Sequence, residues 1–153
     1  MSYLSAEQLI IDCLRSEIQT LPSDSILSAS DIADVKTQQQ VSPAIQVILH
    51  DDQPLQAEGG ELNSQFVEQL WNVVVVTRNV RNRSGQSARD DAGNIINDVI
   101  SILNGKHFKH PFNRMLRVKS PYRPTYNNGF FYFPMTFKVR MKTSGRERYT
   151  KPI

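Results

Sequence analysis

The stretch Phe130-Phe131-Tyr132-Phe133-Pro134-Met135-Thr136-Phe137-Lys138-Val139-Arg140-Met141-Lys142-Thr143 alternates over its whole length. Phe131, Phe133, Met135, Phe137, Val139 and Met141 face one way, and Tyr132, Pro134, Thr136, Lys138, Arg140 and Lys142 the other. Successive side chains of a strand point to opposite faces, so the pattern predicts one long β-strand with a buried side and a polar side. Pro134 has no N–H to donate, which predicts a sheet edge or a bulge. Just upstream, residues 121–129 read as a hairpin link with its turn at Asn128-Gly129, the dipeptide that most readily takes the positive φ such turns need. Residues 114–120 read as the preceding strand, with Met115, Arg117 and Lys119 opposed to Leu116 and Val118.

Ser84-Gly85-Gln86-Ser87 opens a helix in which Ala88, Ala92, Ile95, Ile96, Val99, Ile102 and Leu103 form one apolar stripe. Asp90 and Asp91 are placed in its first turn, where the helix dipole favours anions, and Gly105 closes it. Residues 68–80 read as a strand covered on both faces near its centre, with Trp71, Val73 and Val75 on one side and Leu70, Val74 and Val76 on the other. Residues 44–49 read as another strand, which stops at Asp51-Asp52-Gln53-Pro54. The long connection between these two strands, at about residues 51–66, predicts either a disordered segment or a functional arm. At the N-terminal end, Ser5 and Gln8 have capping-box spacing, and Leu9, Ile10, Cys13, Leu14, Ile18 and Leu21 recur at helical intervals up to Pro22. Residues 31–35 predict one more helical turn. The expected fold class is α+β: a small mixed or antiparallel β-sheet flanked by helices, in the order α-β-β-α-β-β. Residues 1–153 form a single domain with a basic tail at about 144–153.

Charge is unevenly distributed along the 153 residues, whose formal total is only +3. Residues 1–76 carry two basic and eleven acidic side chains, net −9, and residues 77–153 sixteen basic and four acidic, net +12. Such a split signals a charged partner or complementary faces on neighbouring copies. The longest apolar run is far short of the roughly 20 residues that span a bilayer, so no membrane partner is expected. The N-terminus lacks the basic-then-apolar order of a signal peptide, which predicts a cytosolic start. The single cysteine, Cys13, permits no internal disulfide and reads as a small apolar side chain on the first helix.

Chemistry-bearing patterns are sparse. His107 and His110 follow the helix stop at Gly105 and precede Pro111, with no Cys or carboxylate cluster nearby. The pairs Asp51-Asp52 and Asp90-Asp91 read as loop and helix-dipole carboxylates. Neither a phosphate-binding glycine loop nor a nucleophile elbow occurs. The expectation is a protein without catalytic residues, cofactor or metal. The basic and aromatic C-terminal half, with Arg78, Arg114, Arg117 and Arg123 beside Tyr122 and Tyr126, offers phosphate contacts and stacking platforms. A nucleic-acid-binding module is therefore the alternative reading.

The N-terminal helix, the strand and long arm, the strand Gln69-Leu70-Trp71-Asn72-Val73-Val74-Val75-Val76, the helix ending Leu103-Asn104-Gly105 and the closing aromatic strand follow one another in a familiar order. In this order the chain resembles the tail terminator, or tail completion, proteins of long-tailed bacteriophages and phage-tail-like particles. The resemblance implies a structural virion protein, assembled in the host cytoplasm, that forms a hexameric ring at the head-proximal end of the tail. It implies a stop to tube and, in contractile tails, sheath growth. The implied partners are the tail tube protein, the sheath protein and a head completion or neck protein, with DNA passing through the lumen without sequence-specific binding. Another neck or tail accessory protein is the neighbouring alternative. A ring needs two different complementary patches per subunit. We expect Asp51, Asp52, Glu58 and Glu61 on the arm to supply one, against either Arg78, Arg81 and Arg83 or Lys138, Arg140 and Lys142.

Overall fold

The computed structural model describes residues 2–28, 42–56, 63–78 and 86–145. Their elements are helix α1 (Ser5–Glu17), a 3₁₀ turn (Ser23–Ser25), β1 (Ile26–Ser28), β2 (Ala44–Pro54), β3 (Ser64–Arg78), helix α2 (Gln86–Leu103), β4 (Leu116–Val118), β5 (Thr125–Asn127) and β6 (Phe130–Ser144). The six strands make one sheet in the order β1-β2-β3-β6-β4, with β5 also pairing β6. All pairs are antiparallel except β1 with β2. The α+β class and its order are those the sequence implies, with two short strands added.

Both helices lie on one face of the sheet. α1 rests against β1 and β2, and α2 against β3, β6 and β4. The core between helices and sheet is built from Ile10, Leu14, Val99 and Leu103 above and Trp71, Phe137 and Met135 below, all essentially inaccessible to water. Phe131, Val139 and Met141 join them, and Phe133 is half-buried, so the period-two pattern of β6 marks the helix-covered face as expected. Burying one such side chain stabilises the fold by about 1.5–3 kcal/mol, which is why this alternation dominates the architecture.

Several local expectations are corrected. α1 ends at Glu17, because Ile18 takes extended backbone angles; Ile18 and Leu21 nonetheless stay buried against the core. No capping box forms. Ser5 lies inside the helix with its buried Oγ unpartnered, Gln8 Nε2 donates to Asp12 Oδ1 at 2.7 Å, and the Ser2 carbonyl accepts from Ser5 N–H at 3.0 Å. α2 starts early enough that Asp90 and Asp91 fall beyond its first turn. Pro134 stands in a central strand rather than at an edge: it is opposite Val74 of β3. On its other side it falls in the gap between β5, which pairs as far as Tyr132, and β4, which pairs from Thr136. A missing donor is tolerated where no strand lies alongside.

The long connection is also more ordered than a loop. β2 continues past Leu49 to Pro54, and β3 begins at Ser64, so residues 51–54 pair with 67–70 as an extension of the β2–β3 hairpin. A β-bulge at His50 makes this possible by shifting the register between Leu49 and Asp51. The extra residue re-phases the strand, bringing Asp52 onto the helix-covered face beside Gln69 and leaving Asp51 beside Leu70 on the other. Residues 57–62, the expected turn at 31–35, and the tail from 146 onward lie outside the described residues.

Candidate assembly surfaces

The face of the sheet away from the helices carries the even-numbered residues of β3 and β6. Across its middle it is covered in part by the link between β4 and β5, which reaches β2 as a strap. Tyr122 of the strap meets His50 of β2 edge-on, with ring centroids 5.3 Å apart and Tyr122 Oη 3.4 Å from His50 Nδ1. Between strap and sheet lies a groove of about 500 Å³ lined by Ile48, Val74, Tyr122, Arg123, Tyr132 and Pro134 among others. At its floor, Thr136 Oγ1 donates to Asn72 Oδ1 at 2.7 Å, satisfying two buried polar side chains across β3 and β6. Burial holds the Tyr132 phenol above its ordinary range, so it stays neutral.

Toward the hairpin end this face is open. Phe66 and Leu116 are large apolar side chains exposed there, and Arg140 stacks its guanidinium 5.7 Å above the Phe66 ring centroid. Arg140 also donates to Glu68 at 2.8 Å, with Lys138 3.9 Å from the same carboxylate oxygen. Apolar rings interleaved with fixed charges suit a contact surface, since the rings supply buried area and the charges set register.

The topology turns the charge split of the sequence into a split across the sheet. Residues up to 78 build α1 and strands β1, β2 and β3; residues from 86 build α2, β6, β4 and β5. The β1 side therefore displays Asp12, Glu17, Asp24, Asp51 and Asp52, all exposed. Arg15, the one basic residue described there, is occupied by main-chain carbonyls, donating to Ser23 at 2.9 Å and to Ile26 at 2.8 Å. The β4 side displays Lys109, Arg114, Arg117, Lys119 and Arg123, also exposed and, among the described residues, without an ion-pair partner.

Of the residues expected at an interface, Asp51 and Asp52 stand exposed on β2, and Asp52 accepts a hydrogen bond from Tyr3 Oη at 2.6 Å. Lys138, Arg140 and Lys142 lie together on the open face of β6, where they flank Glu68 and Phe66 in register. Arg78 is exposed at the far end of β3 from the hairpin. Asp51 stands opposite Leu70, eight residues from Arg78 along β3, so at about 3.3 Å per residue the two are roughly 26 Å apart along the strands. Glu58, Glu61, Arg81 and Arg83 lie outside the described residues. Sequence reasoning missed Glu68 as the partner of Lys138 and Arg140, and missed Lys109, Arg114 and Arg117 as one surface. An acid-free run from residue 99 to 146 was the available signal. His107 is exposed and bridges to Arg114, and among the described residues no three His, Cys, Asp or Glu side chains come together as a metal site. Cys13 is half-buried; burial first, and Glu17 second, push its thiol up, away from a reactive thiolate.

The chain is a small α+β unit whose sheet is covered by helices on one face and carries unlike charges on its two sides. The fold is shared with a chain of the virion of a native gene transfer agent particle, with a TM-score of 0.57 at 13% identity over 93% of this chain and 100% of that one. No curated protein matches the chain significantly. The family model described as phage tail terminator protein matches residues 1–147, and the chain belongs to that family. It is thus a structural protein of a bacteriophage tail, a component of the virion that associates with other tail components.

Proposed function

We propose that the chain assembles as a hexameric ring at the head-proximal end of the tail. There it stops polymerisation of the tube and, in a contractile tail, the sheath, and it presents the docking surface for the head completion or neck protein. DNA passes through the ring without base-specific contacts, and no step of this function calls for catalysis. The observation that carries the reading is the lateral charge separation across a single sheet in a member of this family. Two unlike, complementary sides on one subunit close into a ring when the rotation between copies closes. In this reading Asp51 and Asp52, with Glu58 and Glu61 of the following sequence, supply the acidic patch. Between the two candidate receivers, Lys138, Arg140 and Lys142 are favoured, because they lie on the basic side of the sheet. Contact with Arg78 requires copies displaced along the strands rather than across them. The test is a phage lacking this chain, viewed by negative-stain microscopy. Tubes of irregular length, detached from heads, are expected; tails of normal, uniform length joined to heads would sink the reading.

A further inference from the structure

β4 and β5 pair with the same side of β6, but an excursion of the chain separates them. β4 reaches as far as Val118, opposite Thr136, and β5 starts at Thr125, opposite Tyr132. Six residues, 119–124, therefore pass only three positions of β6, and the surplus is thrown across the face of the sheet away from the helices. Pro121 and Pro124 fix φ at two points of this strap. Ser120 Oγ accepts from Tyr122 N–H at 3.1 Å, and the Tyr122 ring is held against His50 of β2. The groove beneath the strap is thus preformed, and a ligand entering it has little loop ordering to offset.

The lining of this groove is only partly satisfied by the chain itself. Ile48 and Val74 are half-buried there and, with Pro134, make an apolar floor. Asn72 lies at the same floor and is 6% exposed. Its Oδ1 accepts from Thr136, and among the described residues its Nδ2 has no hydrogen-bond partner. A sheltered donor of this kind calls for an acceptor from outside the chain. Arg123 adds a cation to the wall. A second groove of about 410 Å³ adjoins the first at Tyr122 and Pro134 and carries Arg117 and Lys119. No Asp or Glu of the described residues lines either groove.

We propose that the groove under the strap binds an extended segment of another tail protein in which an aliphatic side chain is followed closely by carboxylates. The aliphatic group covers Ile48, Val74 and Pro134, and a main-chain carbonyl accepts from Asn72 Nδ2. A carboxylate meets Arg123, and further acidic residues run past Tyr122 to Arg117 and Lys119. Single-stranded nucleic acid suits the site less well. Bases bind by stacking on open aromatic faces, whereas Tyr122 and His50 at the mouth are turned edge to face against each other and the floor is aliphatic. Every group of the site comes from one subunit, so binding does not depend on closure of a ring.

The test is fluorescence anisotropy of the full-length chain with a short labelled peptide in which leucine precedes two aspartates in a serine and glycine frame. Saturable binding that weakens with salt is expected, and exchanging the leucine for serine or the aspartates for lysines is expected to weaken it at least about tenfold. Arg123 is exposed on the strap, so Arg123→Glu leaves the core untouched. This variant is expected to lose the aspartate peptide by about tenfold or more and to prefer the lysine peptide, a reversal that loss of folding cannot produce. Val74→Thr, which keeps the side chain's shape, is expected to weaken binding several-fold. An unaltered chain that does not bind the aspartate peptide, or an Arg123→Glu variant that binds it equally well, overturns the proposal. Oligothymidylate that binds more tightly than the peptide and displaces it assigns the groove to nucleic acid and also overturns it. The ring reading is decided separately, by tail length in the phage lacking this chain.

Discussion

Gln69 is fully buried in a β-strand, which is unusual for an amide and informative about what it holds. Its Nε2 donates to the Tyr3 carbonyl at 2.8 Å and lies 3.2 Å from the Met141 sulfur, while its Oε1 accepts from Trp71 Nε1 at 3.1 Å. One side chain thereby satisfies the indole N–H of the core's largest residue and pins the segment before α1 onto the sheet. Gln69→Ala strands the Trp71 donor and opens a void, so a loss of about 2–4 kcal/mol is expected in urea unfolding. Gln69→Glu, which keeps an acceptor but removes the amide donor to Tyr3, tests whether the pin matters separately from the void. Tyr3 supplies the second tie. Partial desolvation, then its hydrogen bond to Asp52, raises the phenol's pKa. The protonated form is favoured by folding, so this contribution is complete below the unfolded value of about 10 and is lost as pH rises through the folded value. Thermal midpoints measured from pH 8 to 11 are expected to fall more steeply for the unaltered chain than for Tyr3→Phe. Period-two alternation places Gln69 on Trp71's face, but partners 66 and 72 residues away are not written in a local pattern.

At the scale of elements, what the sequence shows is what repeats. β6, β3 and α2 each carry enough periodic apolar residues to be read directly, and the Asn128-Gly129 turn is read from composition alone. In the structure Asn128 has φ 50° and Gly129 φ 81°, the pair of left-handed residues that joins β5 to β6. No neighbouring atom crowds a Cβ at Gly129, so the cost of a side chain there is backbone strain alone. Gly129→Val is therefore expected to destabilise by about 1–2 kcal/mol in chemical unfolding, and Gly129→Asn by less. β1 is illegible for the opposite reason: its three residues are all buried, giving no alternation, and its parallel pairing to β2 is supported by α1 and by Arg15 donating to the carbonyls of Ser23, just before it, and of Ile26, its first residue. The bulge at His50 hides in a run of polar residues that reads as a loop. Only the ladder with β3 shows that Asp51 to Pro54 still pair, and that the acidic residues of the hairpin are held by the sheet.

For the whole molecule, a net charge of +3 describes no part of its surface. The chain lays down β1, β2 and β3 side by side before crossing through α2 to β6 and β4, so the boundary between acidic and basic sequence near residue 77 becomes the seam between β3 and β6. The distance from β1 to β4 is four strand spacings, about 19 Å, roughly two Debye lengths at 0.1 M salt. Across that distance the two sides act on their surroundings as separate patches rather than as one averaged charge. A dilute, unassembled chain at pH 7 and about 0.1 M ionic strength is accordingly expected to be retained by both cation and anion exchangers. A protein of the same net charge spread evenly would be retained by the cation exchanger alone. The triple variant K109E/R114E/R117E should lose retention on the cation exchanger and D12K/E17K/D51K on the anion exchanger, each being held more tightly by the other resin. Double retention that survives D12K/E17K/D51K would mean the acidic patch lies elsewhere than on α1 and β2. Retention on both resins that disappears as the chain assembles would show that assembly consumes the two patches together, as a head-to-tail contact requires.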